Sequence, residues 1–394
     1  MKTTNQIIKI NPLILVWARE SIGLSVGEVA VKIKKDVNTI VDWEKGDSTP
    51  SLAQLEKLAY SIYKRPLAVF FMKNTPKESN VKEDFRTISD EEIEFLTPKL
   101  RMEIRKVKNL QLYLNELHNG KNPTEKPLFK DYIFRLNSDP VKSAETIRKF
   151  LGLSKRLKIS FKNSEEAFIY YRELIELNGI YVFQFPLNDV RGFSLVDNEF
   201  PVIILNSGDS SNGKIFTIFH ELCHILFNTG GIFKDVITQE LRKNPDKIEV
   251  FCNKFASEIL LPEKELVNEN ILMSVKKKKW NDYELEIIAQ KYKVSKEVVL
   301  RKLLDLKRTT KPYYLEARKK WKEDFLKIKE RQKEEQRKSN GGPTYHVTNF
   351  SHFGKNFVTD ILSQYHKGKI DQTQVADILS IKINKIPVYE KRIF

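Results

Sequence analysis

The segment from Ile215 to Phe227 places two histidines and a glutamate inside a largely apolar run, and this combination limits the folds open to the chain. The three side chains belong to His220-Glu221-Leu222-Cys223-His224, which has the pattern H-E-x-x-H. Residues four apart share a face of a helix, so both imidazoles can bind one metal ion. A buried helix rarely carries such polar groups without a reason. The pattern therefore predicts a metal site rather than a satisfied pair of core histidines.

Zinc is the metal that these ligands favour, because neutral imidazoles hold a borderline-soft cation. The carboxylate of Glu221 lies one residue along from His220, where it can act as a general base. A catalytic zinc site also needs a third protein ligand and an open fourth position. The continuation H-x-x-G-x-x-H would supply a third histidine, but Phe227 and Gly230 stand where its Gly and His are needed.

A glutamate on a following helix is another common third ligand, and two candidates lie downstream. Glu249 would share its helix face with Cys252, Asn253 and Ala256, at i+3, i+4 and i+7. Glu258, nine residues after Glu249, would lie on the opposite side, about 180° round the helix. Spacing alone favours Glu249 over Glu258 only modestly.

Two longer motifs resemble the ImmA/IrrE family of zinc metallopeptidases, whose members typically contain F-T-x-x-H-E-x-x-H and E-x-x-A/C-N-x-F-A-x-x-L-L-x-P. Here they run from Phe216 to His224 and from Glu249 to Pro262. The resemblance implies a zincin-like fold that binds Zn²⁺ and hydrolyses peptide bonds. It also implies the site residues: His220, His224 and Glu249 as metal ligands, and Glu221 as general base and acid.

Shorter segments resemble family members with an N-terminal helix-turn-helix: Asp84-Phe85-Arg86, the turn Arg191-Gly192-Phe193, and Ile204-Leu205-Asn206. Cys223 departs from the family pattern, in which glycine is frequent. The favoured interpretation is a small buried residue. The alternatives are an oxidation-sensitive thiol and a spurious metal ligand.

The N-terminal region has the spacing of short helices joined by tight turns. Residues 25–46, followed by Thr49-Pro50, resemble an XRE/Cro-type helix-turn-helix, whose second motif helix enters the major groove of DNA by its N-terminal end. The resemblance predicts a double-stranded DNA partner. The expected contacts are Asn38, Thr39 and Asp42 to bases, and Lys34, Lys35 and Lys45 to phosphates.

The charge distribution gives this DNA prediction little support. The 394 residues carry a net charge of +16, but residues 1–72 hold only 10 basic and 7 acidic side chains. Residues 301–340 hold 15 basic and 7 acidic side chains, whereas residues 201–270 hold 7 basic and 10 acidic side chains. The alternatives are a helix-turn-helix that binds a protein, such as a related repressor, and one that serves dimerisation in a homodimer. The charged run from Trp321 to Lys338 is expected to be a solvated helix.

The alternation of apolar runs predicts an α+β, mostly helical fold class. Strands are expected at 179–183 and 202–205, and the second could accept substrate as an added strand. The predicted domains are an all-α helix-turn-helix domain (1–72), a helical linker region (73–140), a zinc metallopeptidase domain with a small sheet (141–310), a basic charged helix (311–340) and a small helical C-terminal unit (341–394). A second helix-turn-helix-like element is expected at 281–306, with a structural role.

Two cysteines and no apolar run of about 18 residues predict a cytoplasmic protein with no membrane partner.

The favoured function is a regulatory zinc endopeptidase coupled to a DNA-binding domain. The resemblance implies limited cleavage of a partner protein such as a transcriptional repressor, in mobile-element, stress or toxin–antitoxin settings. The alternative is a non-catalytic DNA-binding regulator, antitoxin-like, with a structural or vestigial zinc site. Glu221 argues against that alternative, because a structural site needs no base.

Overall fold

The computed structural model describes residues 10–76, 96–153, 161–188, 190–233, 247–273, 278–338 and 345–394. The chain divides into two compact units, Met1–Asn109 and Leu110–Phe394. The α+β, mostly helical fold class is confirmed, whereas the five-part division into domains stays a prediction. The segment Asp84–Arg86 lies outside the described residues. No helix in the described part of the chain has the length and apolarity needed to cross a membrane.

The described residues of the first unit are helical, and their ends follow from local capping. Ser25 begins the second helix with a capping box, because its hydroxyl accepts a hydrogen bond from the backbone of Glu28, whose carboxylate accepts one from the backbone of Ser25. The core contains Ile40 and Trp43. The helices are α1 (Pro12–Ser21), α2 (Val26–Ile33), α3 (Val37–Lys45) and α4 (Leu52–Glu56), then a π-helical segment (Lys57–Tyr63) and a 3₁₀ helix (Leu67–Phe71).

A four-stranded sheet forms the centre of the second unit, in the order β1-β3-β2-β4. Strand β3 is parallel to β1, and β2 is antiparallel to both β3 and β4. Strand β3 therefore has both edges paired, and the hypothesis that it accepts substrate as an added strand is wrong. The strands are β1 (Tyr181–Phe185), β2 (Gly192–Leu195), β3 (Val202–Asn206) and β4 (Gly231–Phe233).

The segment Arg191-Gly192-Phe193 was expected to be a turn, but it leads into strand β2. A Cβ atom on Gly192 would lie 2.6 Å from the carbonyl oxygen of Ile204 and 2.6 Å from the methyl group of Thr217. Glycine here permits close packing of the strand against its neighbour and against the metal-motif helix, rather than a reversal of the chain.

Helices cover the sheet and extend to the C-terminus. Phe353 and Phe357 pack on Phe183 of the sheet, and residues 345–394 contain four α-helices. The helices after α4 are α5 (Pro98–Leu117), α6 (Leu128–Asp131), α7 (Pro140–Phe150), α8 (Ser164–Leu177), α9 (Ser211–Leu226), α10 (Lys247–Leu260), α11 (Glu263–Leu266), α12 (Asn270–Met273), α13 (Asp282–Tyr292), α14 (Lys296–Asp305), α15 (Lys311–Lys338), α16 (Tyr345–Phe353), α17 (Lys355–His366), α18 (Gln372–Ile378) and α19 (Ile386–Ile393).

Candidate functional site

Helix α9 carries the H-E-x-x-H motif through the middle of the core. It begins after Ser210, whose hydroxyl accepts a hydrogen bond of 3.1 Å from the backbone of Gly213. From Thr217 to Leu226 every residue is buried, because the helix packs against α10, α8 and the sheet. The apolar neighbours of the motif thus fix the helix, and the helix fixes the directions of its polar side chains.

Three side chains from α9 and α10 meet inside this core. The Nε2 atoms of His220 and His224 lie 3.2 Å apart. The carboxylate of Glu249 lies 3.3 Å from Nε2 of His220 through one oxygen and 3.1 Å from Nε2 of His224 through the other. Both imidazoles are fully buried, and Glu249 is 8% exposed. The structure therefore brings together the three residues predicted as metal ligands.

Burial and mutual contacts shift the pKa values of all three groups. Burial acts to lower the pKa of His224, but Cys252 and Glu249 outweigh it and raise that pKa. The other two groups have the protonation tendencies that suit a metal site. Burial lowers the pKa of His220, which favours the neutral imidazole. Burial opposes ionisation of Glu249, but the neighbouring imidazoles outweigh it and lower the pKa of this carboxyl. A neutral imidazole and an ionised carboxylate are the forms that bind a metal ion.

The carboxylate of Glu221 is held by the sheet. Its Oε2 atom accepts a hydrogen bond of 2.6 Å from the hydroxyl of Ser194 on β2. That hydroxyl in turn accepts one of 3.3 Å from the backbone N–H of Gly231 on β4. Ser194 and Glu221 are both fully buried. The sequence patterns do not single out Ser194, and its one signal is its position directly after Arg191-Gly192-Phe193.

Gly231 lies against the ring of His224. A Cβ atom added to this glycine would stand 2.5 Å from two ring carbons of His224 and 2.8 Å from its Nε2 atom. The ring can therefore keep its position only while residue 231 has no side chain. Strand β4 thus bounds the donor cluster as well as anchoring Ser194.

We expect Gly231→Ala to lower the free energy of unfolding by about 1–3 kcal/mol, because the added methyl group forces the His224 ring to move. The same displacement should weaken zinc binding. Denaturant titration and zinc titration of the purified chain measure the two effects. Gly208→Ala is the control, since its added Cβ would meet an ordinary contact of 3.4 Å with Asn206. Equal stability and zinc affinity in the two variants would contradict this view of β4.

The remaining candidates from this part of the chain lie outside the donor cluster. Glu258 forms a buried ion pair with Lys302 of α14 and accepts a hydrogen bond of 3.0 Å from the backbone of Glu263. Cys223 and Cys252 are buried in mutual contact, and burial raises the pKa of both thiols. Among the described residues, only His220, His224 and Glu249 form a cluster of potential metal ligands. Cys223 thus matches its interpretation as a small buried residue.

A cavity of about 860 Å³ opens beside the donor cluster, and Glu249 lines it. Asn253 and Ser257 follow on successive turns of α10. Phe216 lines it from α9, one helical turn before His220, with the two ring centroids 6.3 Å apart. A molecule in this cavity could approach the donor cluster from the side of Glu249.

The predicted DNA-contacting residues lie on and beside α3 in the first unit. Ile40 and Trp43 are buried and attach the helix to the core. Lys34 ends α2 in the left-handed conformation, so a connection of only three residues joins the two helices. The predicted set lies at the surface, with Lys34, Lys35, Asn38 and Lys45 exposed and Thr39 and Asp42 half-buried.

Comparisons with known families match the two regions of the chain that contain these residues. Residues 175–304 match the model of a peptidase family described as the IrrE N-terminal-like domain, and residues 15–59 match a helix-turn-helix model. The first match contains α9 and α10, and the second contains α2 and α3. No curated protein matches the chain. The chain therefore carries an IrrE N-terminal-like peptidase domain, as its resemblance to the ImmA/IrrE family predicted, together with an N-terminal helix-turn-helix domain of XRE type.

Proposed function

We propose that the chain is a zinc-dependent endopeptidase that makes limited cleavages in a partner protein and is coupled to a DNA-binding domain. The observation that carries this proposal is the convergence of His220, His224 and Glu249 beside the buried carboxylate of Glu221. A transcriptional repressor is the expected substrate. This class of partner follows from the family resemblance, not from the geometry.

The donor set fits zinc. Two imidazole nitrogens and a carboxylate oxygen are ligands that zinc takes in peptidases, and three protein ligands leave a fourth position open. A structural site would normally close that position with a fourth protein ligand, whereas the cluster among the described residues has three. When bound, zinc supplies Lewis acidity, which polarises a carbonyl group and makes water acidic enough to ionise near neutral pH.

Glu221 moves the proton in the proposed reaction. Its Oε2 atom is held by Ser194, and we assign its Oε1 atom to take the proton from the attacking water. The water oxygen forms a bond to the scissile carbonyl carbon. As the carbon–nitrogen bond breaks, Oε1 returns the proton to the leaving amine, which completes hydrolysis with no other co-reactant.

Ser194 would then act as a positioning residue, through Glu221. We expect Ser194→Ala to lower kcat by about tenfold with little change in KM or zinc content, because the carboxylate loses its fixed orientation. Steady-state kinetics on one protein substrate separates these quantities. The half-buried Ser207, beyond β3, provides the control variant Ser207→Ala. An unchanged kcat in Ser194→Ala would remove Ser194 from the proposed mechanism.

The peptidase proposal is tested by incubating the purified full chain with a purified candidate repressor. Zinc-loaded chain should produce discrete fragments of the repressor. A chelator should stop their appearance, and added zinc should restore it. Fragments that form at the same rate after chelation would contradict a zinc-dependent reaction.

We also propose that α3 binds double-stranded DNA, on the strength of its exposed N-terminal end and the helix-turn-helix match. Asn38→Ala should weaken binding to the preferred sequence by about 1–3 kcal/mol and leave the salt dependence unchanged. Lys35→Ala should weaken binding to all sequences. It should also reduce the slope of log affinity against log salt concentration by about 1. Titrations with a duplex of the preferred sequence and with a duplex of scrambled sequence measure both effects. Equal affinity of the native chain for both duplexes would indicate charge-driven binding without base recognition. Binding to neither duplex would favour the helix-turn-helix as a protein-recognition module.

A further inference from the structure

The cavity beside the donor cluster has one long wall that the metal motif does not supply. Helix α15 contributes Tyr314, Arg318, Trp321, Lys322 and Phe325. Tyr314, Arg318, Trp321 and Phe325 recur at intervals of four, three and four, and Lys322 is next to Trp321, so the five side chains lie on one side of the helix. The charged run from Trp321 was expected to be a solvated helix, but one face of this helix borders the cavity that Glu249 lines.

The cavity presents apolar side chains that are left accessible. Val250 of α10 is 51% exposed, and Phe325 and Leu326 of α15 are 45% and 50% exposed. They occur on two helices that line the same cavity, so they are not scattered surface residues. Clustered apolar side chains of this kind are typical of a surface that binds apolar groups of a partner.

The charge of the lining is basic. Among the described residues around the cavity, seven are Lys or Arg and four are Asp or Glu. Glu249 belongs to the donor cluster, Glu297 lies 2.8 Å from Arg318, and Asp305 lies 3.5 Å from Arg301. Three of the four acidic side chains are therefore engaged by cationic or metal-binding groups, and the fourth, Asp209, accepts a hydrogen bond of 2.8 Å from the backbone of Ser210. With seven basic side chains against four acidic ones, the lining carries an excess of positive charge.

We infer that this cavity binds an acidic peptide segment with interspersed apolar side chains, which is the substrate class of the proposed peptidase. The inference rests on the proposed function. Basic side chains such as Lys254 and Lys322 attract the acidic groups, while Val250, Phe325 and Leu326 cover the apolar ones. The nearness of Glu249 and the aliphatic side chains of Val250 and Leu326 favour a peptide over a nucleic acid. Aromatic side chains in the lining offer surfaces on which bases could stack, so the test includes an oligonucleotide.

The test measures binding and cleavage separately. Three fluorescent peptides share the same apolar residues and carry acidic, neutral or basic residues between them, and a single-stranded oligonucleotide serves as a second polyanion. Their dissociation constants are measured with full-length Glu221→Gln, which is not expected to consume the peptides. The acidic peptide should bind most tightly.

Charge reversal locates the binding surface. The double variant Lys254→Glu/Lys322→Glu, in the Glu221→Gln background, should weaken binding of the acidic peptide by about tenfold or more. Lys247→Glu/Lys319→Glu is the matched control, because it makes the same charge changes on α10 and α15 at exposed residues that do not line the cavity. The control should bind within about twofold of its parent.

Distinct results separate this inference from the proposed function. Equal affinity for the three peptides, tighter binding of the oligonucleotide, or equal loss in both double variants would overturn the acidic-peptide site. If the native chain cleaves all three peptides at equal rates, the acidic-peptide site is overturned, while the proposed peptidase is supported. Tight, cavity-dependent binding of an acidic peptide that the native chain never cleaves would support the site and contradict the peptidase.

Discussion

Glu221→Gln is expected to retain bound zinc and a native fold while cleaving its protein substrate about 10²–10⁴-fold more slowly. The amide has nearly the shape of the carboxylate, and its oxygen can still accept the hydrogen bond from Ser194. It cannot take up the proton from water. Initial rates at matched zinc content measure the effect, and circular dichroism checks the fold.

The control for this substitution is Glu263→Gln, which makes the same chemical change at an exposed residue of α11. It should cleave at the native rate. If Glu221→Gln keeps more than about a tenth of the native rate, the loss of rate is smaller than the contribution of about 10²–10⁴-fold that general acid–base catalysis makes. Glu221 would then not be the proton-transfer group.

We expect the native chain to keep about one zinc ion per chain through dialysis and His220→Ala to lose it. Removing one of the three proposed protein ligands leaves only His224 and Glu249, and it also removes one of the two imidazoles that face the Glu249 carboxylate. We expect a fall in zinc affinity of more than about 100-fold, since even changes to groups that support a ligand cost 10–100-fold. Elemental analysis after dialysis measures the content.

His366→Ala provides the comparison for this loss. His366 is half-exposed near the C-terminus and pairs with Glu390, 3.1 Å away, outside the donor cluster. It should keep native zinc content. Equal zinc content in native protein and His220→Ala would exclude His220 as a ligand, and loss of zinc from both variants would point to a general effect of removing histidine.

The sequence predicted the donor cluster because each of its parts has a local signal. His220 and His224 share a helix face at i and i+4, and the apolar residues around them indicate burial. Glu249 was harder to predict, since spacing alone hardly separates it from Glu258. The structure separates the two by their partners, because Glu258 pairs with Lys302 of α14. That contact joins residues 44 positions apart, and no helical period reports it.

Strands β2 and β4 were missed for different physical reasons. β2 begins at Gly192, and glycine usually indicates a turn, whereas here it permits contact with Thr217. β4 has only three residues, too few for an alternating pattern. The hydrogen bonds that join Glu221, Ser194 and Gly231 depend on the pairing of these two strands. They therefore could not be derived before the sheet was known.

The distribution of charge was visible in the sequence, but its location in the fold was not. Residues 301–340 carry 15 basic and 7 acidic side chains. In the structure Arg301, Lys311, Arg318 and Lys322 from this stretch line the cavity that Glu249 also lines. Helical periodicity predicts which side chains share one side of α15, but only tertiary packing determines which surface that side borders.

The most direct measurement labels the new protein N-termini in cells that express either the native chain or Glu221→Gln at equal levels. A zinc endopeptidase of limited specificity should produce a small set of internal N-termini in the native sample that are absent with Glu221→Gln. These termini should come from one or a few partner proteins, with a repressor among them. Identical sets of N-termini in the two samples would contradict proteolysis by this site and favour a non-catalytic regulator.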